Sequence, residues 1–157
     1  LRRRPGGISL EVAMKRTAFL AVLLVGAASI TALAQDAKPY KDGPVSDVSY
    51  IRTKPGQFDN YMKWLAGPWK NLMDAQKKAG LVSDYAVYMT EPATPNDPDL
   101  ILVVTMPNMA ALDRTDEADA IAAQVMGSTS QQNKATIDRG AMRDVLGSRL
   151  MRQAVLK

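Results

Sequence analysis

Two tryptophans five residues apart are the most chemically suggestive feature of this chain. Trp64 and Trp69 lie in YMKWLAGPWKNLMDAQKKAG, residues 61–80, on either side of Gly67-Pro68. Indole rings supply flat apolar walls for an aromatic ligand, and they also supply much of the packing area of a small domain. The plain reading is core or interface packing. The functional reading is a pocket wall. On a regular α-helix, residues five apart point about 140° away from each other. One tryptophan is therefore expected on the sheet and the other near a rim, unless the break at Gly67-Pro68 reorients them. Pro68 lacks a backbone donor and crowds the preceding turn, so a kink or restart is expected there. Lys63, Lys70, Asp74, Lys77 and Lys78 give this helix a mixed-charge solvated face, which argues against a membrane-active role.

Other candidates are fewer. Tyr50, Tyr85 and Tyr88 fall on predicted strands. They read as half-buried strand aromatics, or as hydroxyls that orient a phenol or quinone in a pocket. Asp84 and Arg152 interrupt apolar strand patterns. Facing inward they would form an acid–base pair; facing outward, an ordinary edge or interface salt bridge. Glu91, Asp97 and Asp99 lack the repeating spacing and distal glutamate of a calcium loop. The nine methionines are scattered at core-phase positions, which suits gap filling better than copper binding. The chain has no histidine and no cysteine. Histidine-assisted nucleophilic catalysis, histidine-ligated haem and the usual zinc sites are thereby removed, as are disulfides and a lipidated N-terminal cysteine. The expectation is a protein with no metal and no cofactor.

The N-terminal region reads as a targeting segment. Met14 opens MKRTAFLAVLLVGAASITALAQ, with Lys15-Arg16, an apolar run from Ala18 to Val25, and Ala32-Leu33-Ala34 as a cleavage site. This is the pattern of a secretory signal peptide spanning Met14–Ala34, with a mature start at Gln35 and a periplasmic or secreted product. Stable membrane insertion after cleavage is not expected, because the apolar run is short. Residues 1–13 read as a start placed too early; a twin-arginine signal using Arg2–Arg4 is the alternative. The leader holds five basic residues and one acid, against 20 Lys+Arg and 16 Asp+Glu in the whole chain. The formal charge of +4 therefore belongs to the leader, and the remainder is balanced. A nucleic-acid-binding surface is not supported.

The elements that must position the candidates follow in order. Residues 35–44 read as a flexible lead-in and 45–157 as a single domain. A strand is predicted over 45–53, then a helix from Phe58 to Gly80, whose glycine suits a C-cap. A strand follows over 81–90, then a proline-rich loop over 91–99. LILVVTM, 100–106, is apolar on both faces and reads as a central strand. Asn108 is placed to cap a short helix at MAALD. A helical stripe runs over 115–126, GSTSQQN (127–133) interrupts it, and the pattern resumes through Ile137 to Met142. The last strand covers 145–157.

The order β-α-β-β-α-β is the ferredoxin-like arrangement, an α+β fold with a four-stranded antiparallel sheet and helices on one face. Two helices cover one face, yet the strands are apolar on both. A second copy of the chain is the simplest cover, and a homodimer is expected. The strand pattern, the long first helix ending AQKKAG before LVSDYAVY, and the closing LGSRLMRQAVLK resemble the dimeric α/β-barrel superfamily. That group includes antibiotic-biosynthesis-type monooxygenases and NIPSNAP-like small exported proteins. The resemblance covers roughly 45–157. It implies paired sheets in a homodimer and a pocket between sheet and helices, without implying a reaction. The functional expectation is binding of a small hydrophobic or aromatic molecule. The alternatives are a cofactor-independent monooxygenase of the same fold and a non-catalytic interaction module.

Overall fold

The computed structural model describes residues 38–157. Four strands and a helical layer follow one another as β1 (Tyr40–Thr53), α1 (Phe58–Trp64), a π-helical turn (Leu65–Trp69), α2 (Lys70–Lys78), β2 (Asp84–Met89), β3 (Leu100–Met106), a 3-10 turn (Met109–Asp113), α3 (Thr115–Met126), α4 (Thr129–Met142) and β4 (Arg143–Leu156). The sheet order is β2-β3-β1-β4, antiparallel throughout. This is the ferredoxin-like α+β topology. Within one chain the sheet is open and does not close into a barrel.

β1 begins at Tyr40, so residues 40–44, read from sequence as lead-in, belong to the strand. Pairing holds them: Tyr40 lies opposite Leu156 and Lys41 opposite Val155. Pro44, which cannot donate to a ladder, sits at an irregularity between Asp42 and Val45. The 127–133 interruption shrinks to Gly127-Ser128. Gly127 takes φ +86, and Ser128 and Gln131 form a reciprocal capping box that starts α4 at Thr129. Asn108 accepts from the Ala111 amide at 3.2 Å, as its cap position predicted. Gly80 ends the α2 region at φ +72.

The predicted break at Gly67-Pro68 is a change of helix type. Pro68 cannot donate to the Trp64 carbonyl, and the chain widens into a π turn in which the Lys70 amide bonds the carbonyl of Leu65, five residues back. Tyr61 and Leu65 before Pro68 and Met73 after it are all buried, so both halves of the helix are anchored. The principal core cluster is Ile51, Tyr61, Leu65, Leu100 and Leu102, with Met62, Trp64, Trp69, Val87 and Met142 packed against it.

Residues directly opposite in the ladders share a face. Ser49, Leu102 and Val87 lie on the helix side, as do Asp47, Val104 and Tyr85. Val48, Val103 and Ala86 lie on the other face, with Tyr50, Ile101 and Tyr88. β4 is an edge strand and carries Val145, Leu146, Leu150, Met151, Val155 and Leu156 as exposed large apolar residues.

Candidate functional site

Two tryptophans expected to diverge instead line one hollow. In a π turn, residue i+5 lies about one full turn on from residue i, so Trp64 and Trp69 return to the same side of the helix. Both border a hollow of about 200 Å³ with Tyr61, Asp47, Ser49, Leu102, Val104, Arg139 and Arg143. The sheet supplies the floor, α1 and the π turn supply one wall, and α4 with the start of β4 supplies the other. Tyr61 and Trp64 stack at 5.9 Å between ring centroids with 6° between planes. Trp69 meets Tyr85 edge-on at 5.3 Å.

The cationic wall depends on a second backbone irregularity. Between Tyr50 and Ile51 the β1–β4 register slips by one residue: Tyr50 faces Gly147 and Ile51 faces Val145, leaving Leu146 as the extra residue. Side chains alternate along a strand, so an unbulged β4 would turn Arg143 to the helix-free face. The bulge turns it back, opposite Thr53 on the helix side. Lys54 then ties the junction down, its amide bonding the Met142 carbonyl at 2.9 Å and its Nζ the Gly140 carbonyl at 2.8 Å. Arg143 lies over the Tyr61 ring at 5.4 Å and Arg139 over the Trp64 ring at 4.8 Å. Each ring of the stacked Tyr61–Trp64 pair therefore carries one guanidinium.

Neither guanidinium has a carboxylate partner among the described residues, whose ion pairs use Lys54, Lys70, Lys77, Arg114, Lys134 and Arg152. Arg139 donates to Ala135 O at 3.3 Å and Thr136 Oγ1 at 2.8 Å. Burial depresses its pKa, and the adjacent Arg143 charge adds to that. Two buried polar atoms lack partners among the described residues: the Tyr61 hydroxyl and Arg143 Nε. Burial raises the Tyr61 pKa, partly offset by the Arg143 and Arg139 charges. The phenol stays protonated at neutral pH and can donate a hydrogen bond.

The other residues singled out from sequence fall elsewhere. Tyr85 borders Trp69 but donates its hydroxyl to Asp74 at 2.5 Å. Asp74 also takes Lys70 at 2.6 Å, which is the leading cause of its lowered pKa. Tyr50 and Tyr88 lie on the helix-free face, away from the hollow. Asp84 and Arg152 do not pair: they sit on β2 and β4, the two opposite edges of the sheet. Asp84 bonds Lys77 at 3.0 Å, which holds its carboxyl below the usual range, and Arg152 bonds Asp42 at 3.1 Å. Asp97 accepts the Ala93 and Thr94 amides within its loop, and Asp99 accepts the Thr53 amide and hydroxyl. Among the described residues no group of three histidine, cysteine, aspartate or glutamate side chains is arranged to hold a metal ion. No helix there is long and apolar enough to cross a membrane.

A larger, more apolar cleft of about 370 Å³ adjoins the hollow. It lies between the sheet, α2, the 3-10 turn and α3, and Met73, Val82, Met106 and Leu112 are among its walls. Asp47 and Val104 border both spaces. Sequence reasoning missed Tyr61, Arg139 and Arg143. Tyr61 was legible as the i,i+3 neighbour of Trp64. The arginines were not, since their convergence needs the bulge.

No protein-family model and no curated protein matches the chain. Among solved structures it is similar to HapK from Hahella chejuensis, with a TM-score of 0.46 and 16% identity over 69% of this chain and 91% of that one. It is also similar to protein SO0527 from Shewanella oneidensis, with a TM-score of 0.48 and 16% identity over 74% of this chain and 98% of that one. The ferredoxin-like assignment stands on the strand order and register of this chain.

Proposed function

We propose that this chain is an exported protein of the dimeric α/β-barrel type that binds a small aromatic or hydrophobic molecule in the hollow between its sheet and the π-turned helix. The observation that carries this reading is the π turn itself. It places Trp64 and Trp69 on one hollow with Tyr61, where regular helix geometry would separate the indoles. π turns recur at functional sites because they cost regular hydrogen bonding and are kept for what they position. The hollow is smaller than a drug-sized pocket and has room for one or two fused rings; the adjoining cleft would take an apolar extension.

The oxygenase alternative would need a base for proton abstraction; Tyr61 is held in its protonated form, which leaves Asp47, a carboxylate bordering the hollow, for that part. The homodimer reading is supported by the helix-free face, where Tyr88 is 57% exposed and Met151 48% exposed beside half-buried Ile101 and Val103. Export is supported by the Met14–Ala34 pattern, which lies outside the described residues; mass spectrometry of protein from its own host should find Gln35 as first residue, and an intact Met14 would refute it. The binding test is a tryptophan-fluorescence titration with a panel of flat one- and two-ring aromatics. A saturable change with at least one compound is expected, and no response across the panel overturns the reading.

A further inference from the structure

The geometry points to a ligand that is an anion: a small planar aromatic bearing a carboxylate or an equivalent negatively charged oxygen, held by Arg139 and Arg143. This rests on the aromatic-binding reading above and specifies its chemistry. Two guanidiniums border one hollow, and the Arg143 charge adds to the burial that disfavours the charge on Arg139. Isolated like charges in a partly buried site are unfavourable unless an opposite charge joins them. The carboxylates nearby do not supply it. Both Asp99 oxygens are committed to Thr53. Asp144 lies next to Arg143 on β4, opposite Arg52 on the other face. Asp47 borders the hollow but pairs with neither arginine.

The unmet donors agree with the charge. Arg143 Nε is buried, can only donate, and has no acceptor among the described residues. The Tyr61 hydroxyl, also buried and unpartnered, is kept protonated and can donate as well. A carboxylate oxygen is the kind of acceptor these donors lack, and a bond from a charged donor to a charged acceptor is roughly twice as strong as a neutral one. The aromatic faces of Trp64 and Trp69 then select a flat body over a free inorganic anion.

The test compares 2-naphthoate with its neutral isostere 2-naphthamide on the purified full chain, by calorimetry and tryptophan fluorescence. Naphthoate should bind at least about tenfold more tightly, with an affinity that falls as sodium chloride rises while that of the amide does not. Arg143→Gln and Arg139→Gln should each reduce the ratio of naphthoate to naphthamide affinity about tenfold. Equal binding of the two compounds by the unmodified protein overturns the anion inference and leaves the aromatic-binding reading intact. A preference for naphthoate that survives both substitutions overturns the assignment to these arginines. Failure of naphthoate to bind while neutral members of the aromatic panel do bind overturns the inference alone, and failure of the whole panel overturns it together with the reading beneath it. The comparison on unmodified protein decides the question even if an arginine variant folds poorly.

Discussion

Replacing Tyr61 with Phe removes one oxygen atom from the centre of the candidate site and keeps the ring. Tyr61 is 0% exposed, and its hydroxyl has no partner among the described residues. A buried hydroxyl without a bond carries a desolvation cost of about 1–3 kcal/mol, whereas one that is well bonded contributes about 0.5–1.5 kcal/mol. The ring contacts to Trp64 and Arg143 are those of the aromatic face, and phenylalanine retains them. The ligand-free Tyr61→Phe protein should therefore be as stable as the unmodified one or more stable, by up to about 1–3 kcal/mol in urea unfolding. For a domain of this size that is a rise in melting temperature of about 3–6 °C per kcal/mol. The same substitution should weaken naphthoate binding about tenfold, because the charged acceptor loses a donor. Destabilisation of the ligand-free protein by more than about 1 kcal/mol would refute the reasoning, because it would mean the hydroxyl is already bonded.

Three further outcomes follow from the same geometry. The folded-state pKa of Tyr61 is raised above its ordinary 10.0, so this group's stabilisation is fully present below about pH 10 and is lost as pH rises through the folded value; unfolding free energy should fall in that alkaline window, and Tyr61→Phe should fall less. Light scattering should give the mass of a dimer, and Met151→Lys on the helix-free face should give a folded monomer, since Met151 is half exposed in the single chain; a monomeric unmodified protein at micromolar concentration would sink the dimer reading. Deleting Leu146 removes the extra residue, so Val145 pairs with Ile51 directly beside the Gly147–Tyr50 pair and Arg143 stays opposite Thr53 on the helix side; the preference for naphthoate over naphthamide should therefore survive, and its loss would refute the reading that the bulge acts by setting which face Arg143 takes.

The parts of the fold that depend on local pattern were legible in the sequence. LILVVTM is the central β3, the alternation of Tyr85 and Val87 against Tyr88 is the observed division of β2 between the two faces, and 115–126 is α3 residue for residue. Asn108 and Gly80 act through groups within a few residues of themselves and were read correctly as caps. What was not legible depends on partners far along the chain. Alternation tells which face Asp84 and Arg152 take, but only the strand order shows that they lie on opposite edges. Proline chemistry announces an irregularity at Pro68. Whether it becomes a kink or a π turn is decided by Tyr61, Leu65 and Met73, which fix both halves of the helix against the same sheet. The Leu146 bulge has no sequence mark of its own, because it is defined only by pairing with Tyr50 and Ile51. The Ser128–Gln131 capping box was written in GSTSQQN and was masked by its polarity. The candidate site is thus built from the two features, π turn and bulge, that local reading determines least.

The most direct test of that construction is ligand-dependent fluorescence in the two single-tryptophan proteins, Trp64→Phe and Trp69→Phe, titrated with 2-naphthoate. Two indoles on one hollow should both report the ligand, so each variant should show a saturable change with the remaining tryptophan, and the two dissociation constants should agree within a few-fold. A response from only one tryptophan, with the other silent at saturating ligand, would restore the divergent geometry of a regular helix and contradict the shared site.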